Sequence, residues 1–262
     1  MTDSATPGAA ELRDLTVKLH ELLKIKTLPI GMKLFETVEE MEAVPGIRRP
    51  KEGRTHTTCQ LVTQSRWAGF TMGITANNVR ALSNCGGVVG LCQPDEPTLS
   101  GERMNGIWFE NQTAACGHQT EMVRVPHGKY QALAVSPLRM ARLDPPDIVL
   151  FYGTPGQMIL FVNGLQWKRY RRYDMTVTGE TACSDSWGRA LATGETSISI
   201  PCFAERRYGG VSDEEMLIAM PPDEYARGIE GLEGLGKAGL RYPIPPYGAQ
   251  TDPSEGMAAS YG

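Results

Sequence analysis

Leu12, Leu15, Leu19, Leu22 and Leu23 stand three, four and seven residues apart, which is the spacing of one apolar helix face and predicts a packing helix over 11–24. Pro29 forbids its continuation, and Ile30 to Phe35 alternates as a strand does, ahead of the acidic run Glu36 to Glu42. Pro45, Gly46, Pro50 and Gly53 then punctuate a polar loop that leads to Cys59. From Cys59 the chain reads as a helix closing at Gly69 and a strand from Phe70 to Ile74, followed by Asn84-Cys85-Gly86-Gly87. The same order returns later, because Cys183 opens a run closing at Gly194, Thr196 to Ile200 alternates, and Pro201-Cys202 follows at once. Ser100 to Met122 reads as a helix or mixed segment, and Tyr130 to Val135 and Met216 to Met220 as strands. Ile148 to Tyr152 is a buried strand that passes through Gly153-Thr154-Pro155-Gly156 into a helix over 157–170, with Thr154 as N-cap and Pro155 as its first residue. A last helix covers 223–235, weakened by four glycines.

This pattern describes an α+β fold, one domain over 11–240 between a flexible start (1–10) and an extended tail (241–262) suited to gripping a neighbouring copy. The repeated cysteine, helix, glycine, strand order reads as an internal duplication with halves at 28–125 and 130–222 packed face to face. With 262 residues, 41% of them hydrophobic, the chain can bury a large core, and its longest apolar runs fall far short of the roughly 20 residues of a membrane span. Its start lacks the basic and apolar regions of a secretory signal, so a cytoplasmic location and reduced cysteines are expected. A net charge of -4 argues against nucleic acid as a partner. The basic run Lys168 to Arg172 reads as a solvated face, with a substrate carboxylate as its alternative use. The strand-turn-helix at Gly153 to Gln157 lacks the lysine and glycine spacing of a phosphate loop.

Candidate chemistry rests on the thiols. Cys59, Cys85, Cys183 and Cys202 are expected to converge on one centre, each half supplying two. Structural zinc is usually gripped by knuckles with two to four residues between paired ligands, and this chain has none, so a [4Fe-4S] cluster is the expected cofactor, with zinc or no metal as alternatives. Cys92 and Cys116 fit no pair, although Cys116-Gly117-His118 could add a ligand. His56, Asp185 and Arg206 are the candidate catalytic residues, because each lies within four residues of a paired cysteine and could donate a proton, transfer one, or clamp a carboxylate. Trp67, Trp187 and Phe203 would wall the centre off from water.

Taken in order, these landmarks resemble domain-of-unknown-function family 169. The resemblance is carried by Leu28-Pro29-Ile30-Gly31-Met32-Lys33-Leu34, Cys59-Gln60, Cys85-Gly86-Gly87, Pro146 to Val149 with Gly153 to Gln157, Cys183, Thr193-Gly194-Glu195, Ser199 to Cys202 and Asp213 to Met216. It implies an α+β fold and a cysteine-centred site carried onto Cys59, Cys85, Cys183 and Cys202, but no reaction. Three functions are therefore expected in competition. The first is an iron-sulfur enzyme of the oxidoreductase or lyase kind, acting on a small carboxylate or carbonyl compound or relaying electrons to a partner. The others are a non-catalytic redox sensor or ligand binder, and a metal-free thiol enzyme using the cysteine beside Gly86 and Gly87. A homo-oligomer is compatible with each.

Overall fold

A computed structural model of the chain describes residues 6–80 and 84–245. Most of the 241–262 tail and the first five residues lie outside the described residues. The helix α1 runs over Ala9–Leu23, so the expected flexible start already contains its first turn. Six strands follow in chain order: β1 Ile30–Phe35, β2 Met72–Thr75, β3 Ala132–Pro137, β4 Ile148–Gly153, β5 Ser197–Ser199 and β6 Met216–Met220. They form one antiparallel sheet in the order β2-β3-β1-β4-β6-β5. The α+β expectation therefore holds, and the chain forms a single sheet with helices on both faces.

The seam of that sheet is the pairing of β1 with β4, in which Ile30 faces Leu150 and Met32 faces Ile148. Counted outward from this seam, the first three strands appear as first, third, second, and so do the last three. The halves thus meet edge to edge in a continuous sheet and not face to face as the sequence suggested. The physical reason is that β1 and β4 each leave an edge that the other can pair, so joining them removes two exposed rows of backbone donors and acceptors. The shared strand order is what a duplicated unit would give, and common descent of the halves remains an inference from that order.

Strand alternation explains why both sheet faces are buried. Ile148, Leu150 and Tyr152 of β4 join a core that also holds Cys59, Cys85, Cys183 and Trp187. Val149 and Phe151 join a second core with α1 and two further helices. A strand covered on both sides must be apolar at every position, which is why this segment reads as a continuous hydrophobic run. The helices of the second core are α7, Pro155–Gln166, and α10, Pro222–Lys237. The first is capped as the sequence predicts, with the Thr154 hydroxyl accepting from Gln157 N and the Gln157 side chain accepting from Thr154 N.

Among the glycines that weaken α10 on propensity, Gly231 serves contact between helix backbones. A Cβ added at Gly231 would lie 1.9 Å from the Gly164 carbonyl oxygen of α7. Gly231→Ala should therefore destabilise the fold by about 1–3 kcal/mol through overpacking. Gly236, where an added Cβ meets nothing within 4 Å, is the control. Gly236→Ala should be neutral or stabilise by up to about 1 kcal/mol. Urea titration of both variants checks the pair, and equal stability would contradict the packing account.

Candidate functional site

The helices on the thiol side of the sheet begin at the cysteines. Cys59 is the second residue of α3, Thr58–Ala68, which Thr57 and Gln60 cap reciprocally. Cys85 is the first residue of α4, Cys85–Val88. Cys183 caps a π-helical turn, Ser184–Gly188, that continues into α8, Arg189–Thr193. Cys202 is the N-cap of α9, Phe203–Gly209, where the Glu205 carboxylate accepts from Cys202 N at 3.3 Å. Cys59 lies ten residues before the left-handed Gly69, and Cys183 eleven before the left-handed Gly194.

These first turns are fixed to one another by side chains. The Thr63 hydroxyl lies between the carbonyl oxygens of Cys59 and Gly209, binding α3 to α9. The Asn84 amide donates to the Thr181 hydroxyl at 3.1 Å, joining the turns of Cys85 and Cys183. Gly188 packs against Val88, since a Cβ there would lie 2.4 Å from the valine methyl. Beneath them, the Tyr152 hydroxyl donates to Glu205 at 3.1 Å. The buried Arg66 donates to both Glu215 oxygens at 3.2 and 2.9 Å and also to the Gly210 carbonyl at 3.2 Å. Its guanidinium carbon stands 4.0 Å from the centre of the Tyr152 ring.

All four paired cysteines line one cavity of about 300 Å³. Hydrogen bonding to Cys85, followed by burial, holds the thiols of Cys59 and Cys183 well above the usual range. Burial and the nearby carboxylates Glu205 and Glu180 push Cys202 up to about 12. Burial also raises Glu205 to about 7 and raises Glu180, whose carboxylate accepts from Cys202 and from the backbone of Thr181 and Ala204. The common cause is that several groups able to become anionic share a desolvated space, so each disfavours ionisation of the next. A bound cation would reverse that balance and draw the protons off the thiols. Among the described residues, no three His, Cys, Asp or Glu side chains are closed around the position of a single ion.

The other candidates lie elsewhere. His56 does not line the cavity; its backbone pairs with Asn78 and Arg80, and its buried Nδ1 has no partner among the described residues. Asp185 is buried and accepts from Thr178 N, holding the loop ahead of Cys183. Arg206 donates to the Ser212 carbonyl and lies 3.9 Å from Asp213. Cys92 is half-buried against Gly86, and Cys116 sits on α6, Gln112–Glu121. His118 is buried with Nε2 3.0 Å from the Glu180 carbonyl oxygen. Trp187 is fully buried, whereas Trp67 and Phe203 are exposed. In the basic run, Lys168 pairs with Glu230 and Arg171 with Glu195 at exposed positions, as a solvated face would.

Sequence reasoning missed several cavity residues: Gln60, Arg103, Trp108, Glu180 and Tyr208. Thr57-x-x-Gln60 was legible as a capping box at the start of a helix. Arg103 and Trp108 carried no local signal, because the segment that bears them reaches the thiols only through tertiary packing.

Comparison with known proteins agrees with the landmarks. The model of DUF169, described as "Uncharacterised ArCR, COG2043", matches residues 18–231. The chain is also 22% identical over 225 residues to the uncharacterized protein MJ0308 of Methanocaldococcus jannaschii, an alignment covering 85% of this chain and 94% of that protein. No solved structure matches the chain significantly.

Proposed function

Since the chain belongs to domain-of-unknown-function family 169, whose description assigns no reaction, we propose a function from the chemistry of its cavity. We infer that it is an iron-sulfur enzyme in which Cys59, Cys85, Cys183 and Cys202 hold a [4Fe-4S] centre beside a space for a small carboxylate or carbonyl substrate. The observation that carries this reading is the meeting of four cysteines, from four separate helical first turns, on one cavity. Four soft sulfur donors fit iron-sulfur ligation. Structural zinc is usually gripped by paired ligands with two to four residues between them, whereas even the nearest of these cysteines in sequence, Cys183 and Cys202, are 19 positions apart.

When bound, such a centre supplies either a one-electron couple or, with an exchangeable position on one iron, a Lewis acid toward an oxygen of the substrate. The chain's own residues do the rest. Burial of the four thiols excludes water from their side of the cavity, and the proximity of Glu180 to Cys202 gives that wall a carboxyl group able to hold a proton there. Arg103, Gln60 and Trp108 line the space left for the substrate.

Protein purified without oxygen should be brown and contain about four irons and four acid-labile sulfides per chain. A colourless protein that takes up neither iron nor sulfide on anaerobic reconstitution would overturn the reading and favour the metal-free thiol enzyme.

A further inference from the structure

The cavity has a donor-rich wall that the thiol chemistry does not use. It belongs to the segment carrying α5, Glu96–Leu99, a 3-10 turn Glu102–Met104, and α6. We propose that this segment makes the cavity a carboxylate-binding site, with Arg103 gripping the anion and Asp95 positioning Arg103. The inference rests on the reading that a small substrate enters this cavity, and it is independent of which group the thiols hold.

Asp95 is the N-cap of α5, and its Oδ1 accepts from the Thr98 hydroxyl at 2.6 Å and from Thr98 N at 3.2 Å. That anchored carboxylate takes one edge of the Arg103 guanidinium, Nε at 3.3 Å and Nη2 through its second oxygen. The Arg103 and Thr98 side chains in turn hold the Asp95 carboxyl well below the usual carboxylate range. A guanidinium has five N–H donors, so an arginine held along one edge keeps its Nη1 hydrogens and one on Nη2 for a ligand. Arg103 lines the cavity while Asp95 does not. The geometry is therefore that of an arginine braced from behind.

Its neighbours point to the same ligand class. Gln60 spends its side-chain oxygen on Thr57 N at 3.0 Å, so its amide N–H groups are what it can offer the cavity. The lining carboxylate, Glu180, is already occupied as an acceptor by the backbone N–H groups of Thr181 and Ala204. A wall of donors beside engaged acceptors selects an anion. The braced guanidinium can give two parallel N–H bonds to the two oxygens of a carboxylate, and the apolar lining beside it suits a carbon skeleton more than an inorganic anion. Met104 and Trp108 supply the apolar surface for the carbon skeleton, and Trp108 packs edge-on against Phe203 at 5.2 Å across to α9.

The test is calorimetric titration of the full chain, both as purified without oxygen and after iron removal, with malonate, acetate and inorganic phosphate as probes. The carboxylates should bind both forms, and Arg103→Gln should weaken malonate binding by about tenfold or more, the loss of one charge-assisted contact. Asp95→Asn should weaken it by a smaller factor, while Lys168→Gln on the distant basic run leaves it unchanged. Iron content and melting temperature should match the unsubstituted protein in all three variants. Undiminished malonate binding by Arg103→Gln, binding of phosphate in place of carboxylates, or binding of none of the probes would overturn the proposal. A colourless protein that still binds malonate through Arg103 would instead sink the iron-sulfur reading and leave the anion site standing.

Discussion

Cys85→Ala is expected to leave anaerobically purified protein with little of its iron and sulfide, while Cys92→Ala and Cys116→Ala keep theirs. Cys85 stands between the two halves, in hydrogen-bonding reach of both Cys59 and Cys183. On the proposed iron-sulfur reading, its removal would take one thiolate from the centre and the shared neighbour from two more. Cys92 and Cys116 lie outside the cavity lining, one half-buried against Gly86 and the other on α6. Iron and sulfide analysis with visible spectra of the three variants decides the matter, and matching melting temperatures would show that the fold is intact. If Cys116→Ala lost the metal while Cys85→Ala kept it, the centre would have to be rebuilt around Cys116 and His118.

The largest stability effect is expected at Arg66. Its side chain is 1% exposed, its partner Glu215 is 4% exposed, and the two share a bidentate ion pair that ties the end of α3 to the loop after α9. Removing one partner of a buried pair leaves the other charge desolvated and unmatched, so Arg66→Met should cost about 3–5 kcal/mol. Replacing both residues, Arg66→Met with Glu215→Leu, should recover part of that loss, because no buried charge is then left unmatched, while the Gly210 carbonyl and the Ser212 N–H each lose a partner. Urea denaturation of the single and double variants gives the coupling directly. Equal destabilisation by the single and double variants would refute the account. Because α3 begins at Cys59 and α9 at Cys202, loosening this pair should also disturb the thiol cavity.

The local architecture was legible along the chain because it follows from short-range rules. The heptad-like leucines gave α1, the Pro155 and Thr154 pair gave the start of α7, and the unbroken apolar run Ile148 to Tyr152 gave the strand buried on both faces. Cys59 and Cys183 could be placed at the openings of runs closed by Gly69 and Gly194, whereas Cys85 and Cys202 read only as residues that follow strands, and the structure adds the helical turns they begin. Family membership was legible for the same reason: its landmarks are contiguous motifs.

Only tertiary structure decided how the halves meet and what surrounds the thiols. The β1–β4 seam is set by which strand edges remain to be paired, a property of the assembled sheet that no residue pattern announces. Proximity in sequence put His56, Asp185 and Arg206 beside the cysteines, yet none of them lines the cavity, and Asp185 and Arg206 are engaged by Thr178 N and the Ser212 carbonyl. Arg103 and Trp108 are separated from every paired cysteine by more than a turn of chain and reach the cavity because the segment that carries them folds over it. Thus the sequence alone determined the elements and the donor chemistry, through local propensity and residue type. The composition of the cavity wall was decided by long-range packing, which brings together side chains that share no sequence neighbourhood.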